Sequence, residues 1–190
     1  ELVEREVPEP GPGEILVKVT ACGMCYSEVN HLRGHYPFGT FPVVPGHEIS
    51  GVVAALGEGV DRPEVGTPVG AAWPYGSCGH CDQCARGDQI LCTGAPRPVT
   101  GVNRDGGYAE YFVGRAGFVT PLPDGLDPVA GAPLMCAGIT AFNGLRHAGA
   151  TAGSKVAVLG TGGVGTMAVR FAAAMGARVA VVSRSRRAED

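Results

Sequence analysis

The sequence predicts a mixed fold, a small antiparallel β barrel or sandwich followed by the first part of a parallel α/β unit. Three observations predict it. Short apolar-alternating runs separated by Gly and Pro fill residues 1–120, four cysteines cluster within 78–92, and 155–182 read as strand, glycine turn, helix, strand. The expected organisation is a β domain over 1–125 carrying the cysteine lobe 78–92, a connecting helical segment 126–152, and a partial nucleotide-binding unit 153–190.

At 190 residues the chain is long enough for a real core. Its net charge of −3 and pI near 6.0 provide no basic field, so neither nucleic acid nor an anionic membrane is an expected partner. No apolar run approaches the ~18 residues of a membrane span, and no secretory leader is expected. Gly 31 and Pro 15 suit turn-rich β structure. Seven cysteines, an odd number with four packed closely, point to metal binding in a reducing, cytoplasmic compartment rather than to a secreted disulfide framework.

Along the chain, the Pro- and Gly-rich loop 8–13 precedes a half-buried strand, Glu14 to Ala21, with Ile15, Val17 and Val19 on one face and Leu16, Lys18 and Thr20 on the other. Further short strands are expected at Gly51 to Leu56 and Ala109 to Val113. Cys22 and Cys25 form a Cys-x-x-Cys pair, and either could ligate a metal. A short helix starting at Ser27 or Glu28 would set Cys25 against a helix N-terminus, where positive potential favours the thiolate and leaves Cys22 a buried, inert thiol. His47, in Gly46-His47-Glu48, is the histidine placed like a ligand. With Cys25 and a distant Cys136 it makes a three-donor zinc set with a fourth position open, the mark of a catalytic rather than a structural ion.

Cys78, Cys81, Cys84 and Cys92 at their spacing can wrap one Zn²⁺ with no open position, a structural site. His80 inside the run is then a bystander. A nucleic-acid-binding zinc ribbon is the rival reading, but the lobe sets Asp82 and Asp88 against Arg86 alone. Pro121 to Gly125 reads as a linker, and Val129 to His147 as one or two packed helices with Pro133 at an early turn or break.

Lys155 to Leu159 reads as a buried strand and Arg178 to Val182 as a second one. Between them Gly160-Thr161-Gly162-Gly163-Val164-Gly165 opens a helix running through Met175, the Rossmann arrangement for a pyrophosphate. The second strand ends in Ser183-Arg184-Ser185-Arg186-Arg187, with no carboxylate for a ribose 2′-hydroxyl. Arg184, with Ser183 and Arg187, can instead clamp a 2′-phosphate, so NADP(H) is expected over NAD(H); a solvated basic turn is the plainer reading.

Cys25-x-Ser27-Glu28 followed by Gly46-His47-Glu48 resembles the zinc-containing alcohol dehydrogenases of the medium-chain dehydrogenase/reductase family, over essentially the whole chain. The resemblance implies a GroES-like β barrel catalytic domain and two zinc ions per chain, the catalytic one on Cys25, His47 and Cys136. It implies that the Ser27 hydroxyl bonds the substrate alcohol, where the plainer reading is a helix N-cap. Glu28 stands where the family usually has Asp bracing the zinc-binding histidine. Glu48 is either a spare carboxylate that swings onto the zinc or a nearby charge. Tyr36 and Trp73 match pocket-lining positions, with ordinary aromatic core as the alternative, and Thr140 matches a position near the nicotinamide. The family's relay histidine is replaced by Asn30, and His31, one residue on, is expected to face elsewhere, so Ser27 would pass its proton to the cofactor ribose and then to water. The family's zinc enzymes carry the four-cysteine lobe, whereas its zinc-free quinone reductases lack it.

The expected activity is hydride transfer between NADP(H) and a small alcohol or aldehyde, of the cinnamyl-alcohol type, by a full-length form that is a homodimer or homotetramer; the sequence is expected to stop part-way through a nucleotide-binding fold. Rival expectations are an NAD-dependent polyol or formaldehyde dehydrogenase and a non-catalytic, zinc-stabilised binding protein.

Overall fold

The computed structural model describes residues 2–94 and 97–184. They form two compact units, one ending at Met135 and one starting at Cys136, so the division falls inside the expected connecting segment 126–152.

The first unit is built on one five-stranded antiparallel sheet. Its strands are β1 (Glu14–Gly23), β2 (Glu48–Leu56), β3 (Pro68–Ala71), β4 (Tyr111–Arg115) and β5 (Val119–Pro121), in the spatial order β4-β1-β2-β3-β5. Ile15, Val17, Ile49, Val53, Val69 and Phe112 fill the core beneath it, with the Tyr75 ring edge-on to Phe112 at 6.4 Å. The simple alternation expected for β1 does not hold. Register shifts against β2 between Leu16 and Val17 and between Val19 and Ala21 twist the strand, and Ile15, Leu16 and Val17 are all buried. These bulges lie on the strand that leads directly into Cys22 and Cys25.

Past Gly23 the chain turns into a short helix, α1 (Tyr26–Leu32). A second short helix, α2 (Asp82–Ala85), lies in the cysteine lobe. After β5 the chain enters α3 (Pro128–Gly131). Asp127 caps it by accepting from Val129 and Ala130 N–H, and Pro128 takes the first turn, where no intrahelical bond is lost. A 3₁₀ turn, Ala132–Met135, follows, its Met135 sulfur occupying the space that a side chain at Gly70 of β3 would need.

The second unit contains α4 (Ala137–His147), then β6 (Lys155–Leu159), α5 (Gly163–Ala174) and β7 (Arg178–Val182). β6 and β7 pair in parallel, and the Phe142 and Phe171 rings join α4 to α5 at 5.6 Å. The expectation of a buried strand at 155–159 is corrected. Only Val158 of β6 is buried, because among the described residues β6 has a neighbour on one edge alone and most of its surface stays open. No single described helix is long and apolar enough to cross a membrane.

Candidate metal centres

The lobe centre is local. The ligand atoms of Cys78, Cys81, Cys84 and Cys92 all lie within 4.8 Å of one another. Four sulfurs held tetrahedrally at ~2.3 Å from one zinc would stand ~3.8 Å apart. Cys78 to Cys84 is 3.9 Å and Cys81 to Cys84 is 3.5 Å, so the cage fits that ion. Backbone donors prepare it for negative sulfur: Cys78 N–H donates to Cys92 Sγ and Cys81 N–H to Cys78 Sγ, each at 3.4 Å. The Cys81 thiol is brought down to about 5 by backbone hydrogen bonding with Cys84, then by the backbone and hydroxyl of Thr93. Sequence reasoning overlooked Thr93 and Ser77, whose side chain bonds Cys84; the available signal was a hydroxyl residue beside a cysteine. His80 lies outside the cage, exposed, its Nδ1 2.8 Å from Cys78 O, as a bystander should.

The second centre is assembled from α1 and the start of β2. Cys25 is itself the N-cap of α1, its Sγ accepting from Ser27 N–H at 3.5 Å. This corrects the plainer reading of Ser27 as the cap and places its Oγ 3.4 Å from Cys25 Sγ. Glu28 completes the capping box: its Oε2 accepts from Cys25 N–H at 2.9 Å. Its other oxygen, Oε1, lies 2.6 Å from His47 Nδ1. One carboxylate therefore holds both a cysteine and a histidine. The extra methylene relative to Asp leaves the histidine contact intact.

That bond decides what His47 can offer. With Nδ1–H donating to Glu28, the lone pair sits on Nε2. His47 is 1% exposed, and Nε2 has no hydrogen-bond partner among the described residues. A bare imidazole nitrogen in a dry site is costly unless it meets a donor or a metal. Sγ of Cys25, a ligand atom of His47 and a carboxylate oxygen of the buried Glu48 lie within 4.8 Å of one another, which fits a divalent ion bound by sulfur and nitrogen. Gly46 sets the approach. Its φ is +97°, and a Cβ there would stand 2.6 Å from the Tyr108 ring and 2.8 Å from Cys22 Sγ, so only glycine admits His47 at this angle. Cys22 lies behind this turn, its thiol pushed up to about 12 mainly by burial, a poor metal ligand. Cys136 opens the second unit as the residue before α4.

Around the centre, Trp73 stands edge-on to the His47 ring at 4.9 Å, and Tyr36 edge-on to Trp73 at 5.6 Å. Asn30 is half-buried, its carbonyl accepting from His35 N–H at 3.0 Å. His31 is buried beneath Phe41 and does not reach solvent.

In the second unit, Gly160 adopts φ +94°, and its N–H donates to Val182 O at 2.8 Å, tying the glycine turn to the end of β7. A side chain at Gly165 would collide with the Gly160 carbonyl, whereas one at Gly162 would meet nothing within 4 Å. Gly162 caps α5, Gly163 begins it, and Val164 is exposed in its first turn, so the helix N-terminus is open to an anion. Ser183 and Arg184 follow β7 and are exposed, and Thr140 is exposed on α4. Arg187 lies outside the described residues.

Residues 11–124 match the alcohol dehydrogenase GroES-like domain family. The chain is 42% identical over 187 residues to an alcohol dehydrogenase of Geobacillus stearothermophilus, covering 97% of this chain and 54% of that protein. Among solved structures, the cobalt- and zinc-bound thermostable alcohol dehydrogenase of Pyrobaculum aerophilum is 38% identical with a TM-score of 0.87, over 98% of this chain and 56% of that one. A cinnamyl alcohol dehydrogenase of Helicobacter pylori complexed with NADP(H) is 32% identical, also with a TM-score of 0.87, over 94% of this chain and 54% of that one. The chain thus spans about half the length of the relatives it matches.

Proposed function

Because the chain belongs to the zinc-containing alcohol dehydrogenases of the medium-chain dehydrogenase/reductase family, we propose that it carries the catalytic centre of an enzyme moving a hydride between NADP(H) and a small alcohol or aldehyde. The observation that carries the reading is the bare Nε2 of His47, held beside Cys25 by one Glu28 carboxylate. Cys25, His47 and Cys136 would hold the catalytic zinc, and Cys78, Cys81, Cys84 and Cys92 a structural one, two ions per chain. When bound, the catalytic ion supplies a Lewis acid for the alcohol or aldehyde oxygen.

The chain's own residues do the rest. Glu28 fixes the His47 tautomer and the thiolate-bearing turn together, so the donor set is ordered before an ion arrives. Glu48 keeps a negative charge beside it, as a second-rank donor. Ser27 Oγ, 3.4 Å from Cys25 Sγ, accepts and releases the alcohol proton. Because Asn30 does not titrate and His31 is buried, that proton leaves through the cofactor ribose and water. Tyr36 and Trp73 wall the pocket, and Thr140 lies near the nicotinamide.

For the cofactor, Gly160, Gly162, Gly163, Val164 and Gly165 receive the pyrophosphate at the N-terminus of α5. The Gly160–Val182 bond brings the chain leading into Ser183 and Arg184 beside that turn, and a cation there in place of a carboxylate is what favours NADP(H). Arg187 would add a second cation. In the complete enzyme, as a homodimer or homotetramer, Arg184→Ala is expected to lower the NADP⁺ over NAD⁺ preference in kcat/KM by about ten- to hundredfold, the loss of one ~1.5–3 kcal/mol charge-assisted bond. A parent enzyme preferring NAD⁺ would overturn the cofactor assignment.

A further inference from the structure

The last turn of α1 holds a histidine that the proposed chemistry does not use. His31 is 2% exposed, and neither of its ring nitrogens has a partner among the described residues. Its faces are used instead. Phe41 stacks on it at 4.5 Å between centroids and 8° between planes, and Tyr36 lies 6.3 Å away at 21°. The backbone of Gly39 closes the edge: a Cβ there would stand 2.5 Å from His31 Cε1 and 2.7 Å from Nδ1. Residues 33–42 are thus folded around this one ring.

The segment is also held by hydrogen bonds along its length. His35 N–H donates to Asn30 O at 3.0 Å, Thr40 N–H to Val102 O at 2.9 Å, and Asn103 Nδ2 to Phe38 O at 3.3 Å. Between these bonds Tyr36 hangs from the segment. It meets Trp73 edge-on at 5.6 Å, and Trp73 meets His47 edge-on at 4.9 Å. An unbroken aromatic series therefore runs from the last turn of α1 to the bare-nitrogen histidine.

We propose that His31 is a positioning residue whose ring seats the 33–42 segment and, through Tyr36 and Trp73, fixes the pocket wall against His47, setting how well bulky alcohols fit. This rests on the assignment of Tyr36 and Trp73 to the pocket. The ring faces do the positioning, because two unpaired nitrogens in a dry site contribute cost rather than contacts. Phenylalanine should therefore replace His31 without harm, whereas alanine should release the segment.

Trp73 is the sole tryptophan of these 190 residues and reports on its own surroundings. The test uses the complete enzyme carrying His31→Phe, His31→Ala or Gly39→Ala, each with a Trp73→Phe blank whose spectrum is subtracted to isolate Trp73 emission. Steady-state kinetics compare benzyl alcohol with ethanol, and zinc is counted on the same samples. For His31→Ala we expect red-shifted Trp73 emission and a benzyl-to-ethanol KM ratio changed by roughly tenfold, below the ~10²-fold that an ångström-scale misplacement of the reacting groups can cost. His31→Phe should match the parent in both readings. If His31→Ala folds poorly, Gly39→Ala, whose methyl presses on the ring edge, should shift the emission in its place. Unchanged emission and KM ratio in the alanine variants, or damage from His31→Phe equal to that from His31→Ala, would overturn the proposal. A zinc count below two in the parent enzyme would instead sink the functional reading and leave the emission result standing.

Discussion

The four-cysteine lobe and the Cys25–His47 centre offer similar donors and are built in opposite ways. The lobe draws all its sulfurs from one stretch, 78–92, and orders them with donors from that stretch and its immediate flanks, including Cys78 and Cys81 N–H, Ser77 and Thr93. It presents four thiols and no spare position. The other centre joins a helix N-terminus to the start of a strand 22 positions on, with Glu28 as the tie. It is a dry frame ending in one nitrogen that has no hydrogen-bond partner among the described residues. A local cage suits an ion whose task is to hold a loop, whereas a frame made of distant elements suits one that must keep a face open.

The contrast breaks most visibly in the lobe. Cys84→Ser should remove the lobe's ion and cost on the order of 5 kcal/mol, part of the ~10–16 kcal/mol that structural zinc contributes to small domains. Loss of one zinc per chain, a lowered thermal midpoint and new proteolysis within 78–94 are the expected signs. Retained stability would mean that the loop folds without its cage.

Glu28→Gln sharpens the comparison from the other side. An amide can still reach Cys25 N–H through its oxygen, but its NH₂ cannot accept from His47 Nδ1. The expected result is a ten- to hundredfold loss in catalytic-metal affinity, about the usual effect of removing such a partner, with the lobe's zinc and the thermal midpoint little changed. Equal loss of both ions would show that the two centres are not independent.

The smallest effect concerns Cys22, beside the frame but outside it. Burial favours its neutral thiol in the folded chain, raising it from 9.0 to about 12. The folded value is the higher one, so this contribution to stability is complete below pH 9.0 and is lost as pH rises toward about 12. Denaturation midpoints measured between those limits should fall faster for the parent than for Cys22→Ala. Parallel curves would place that thiol in water.

The same contrast explains what could be read from the residues. The lobe follows from spacing alone, since ligands within 15 positions meet whatever the surrounding fold does. For the other centre the residues by themselves showed the donors, and the tie from Glu28 to His47 was expected only from the family resemblance. Cys25-x-x-Glu28 is a capping box once cysteine is allowed at the N-cap, and that reading would have predicted the Cys25 N–H bond. The Glu28–His47 contact depends on how β2 lies against α1, which no local pattern encodes. The β1 bulges were hidden for the same reason, being set by a partner strand far along the chain; the ring stack on His31 is made with Phe41 and Tyr36, ten and five positions on, in an irregular segment that no periodic pattern covers. β6 misled in another way. Its apolar letters describe the cover a parallel strand requires, and only Val158 is buried among the described residues.

Cobalt replacement of zinc tests the central claim most directly, because ligand-field bands separate an all-sulfur site from a mixed sulfur–nitrogen one. The account predicts two cobalt ions per chain, one of each kind, and predicts that His47→Ala abolishes the mixed spectrum while the all-sulfur spectrum remains. A single all-sulfur signal in the parent enzyme, or a mixed signal that survives loss of the His47 ring, would contradict it.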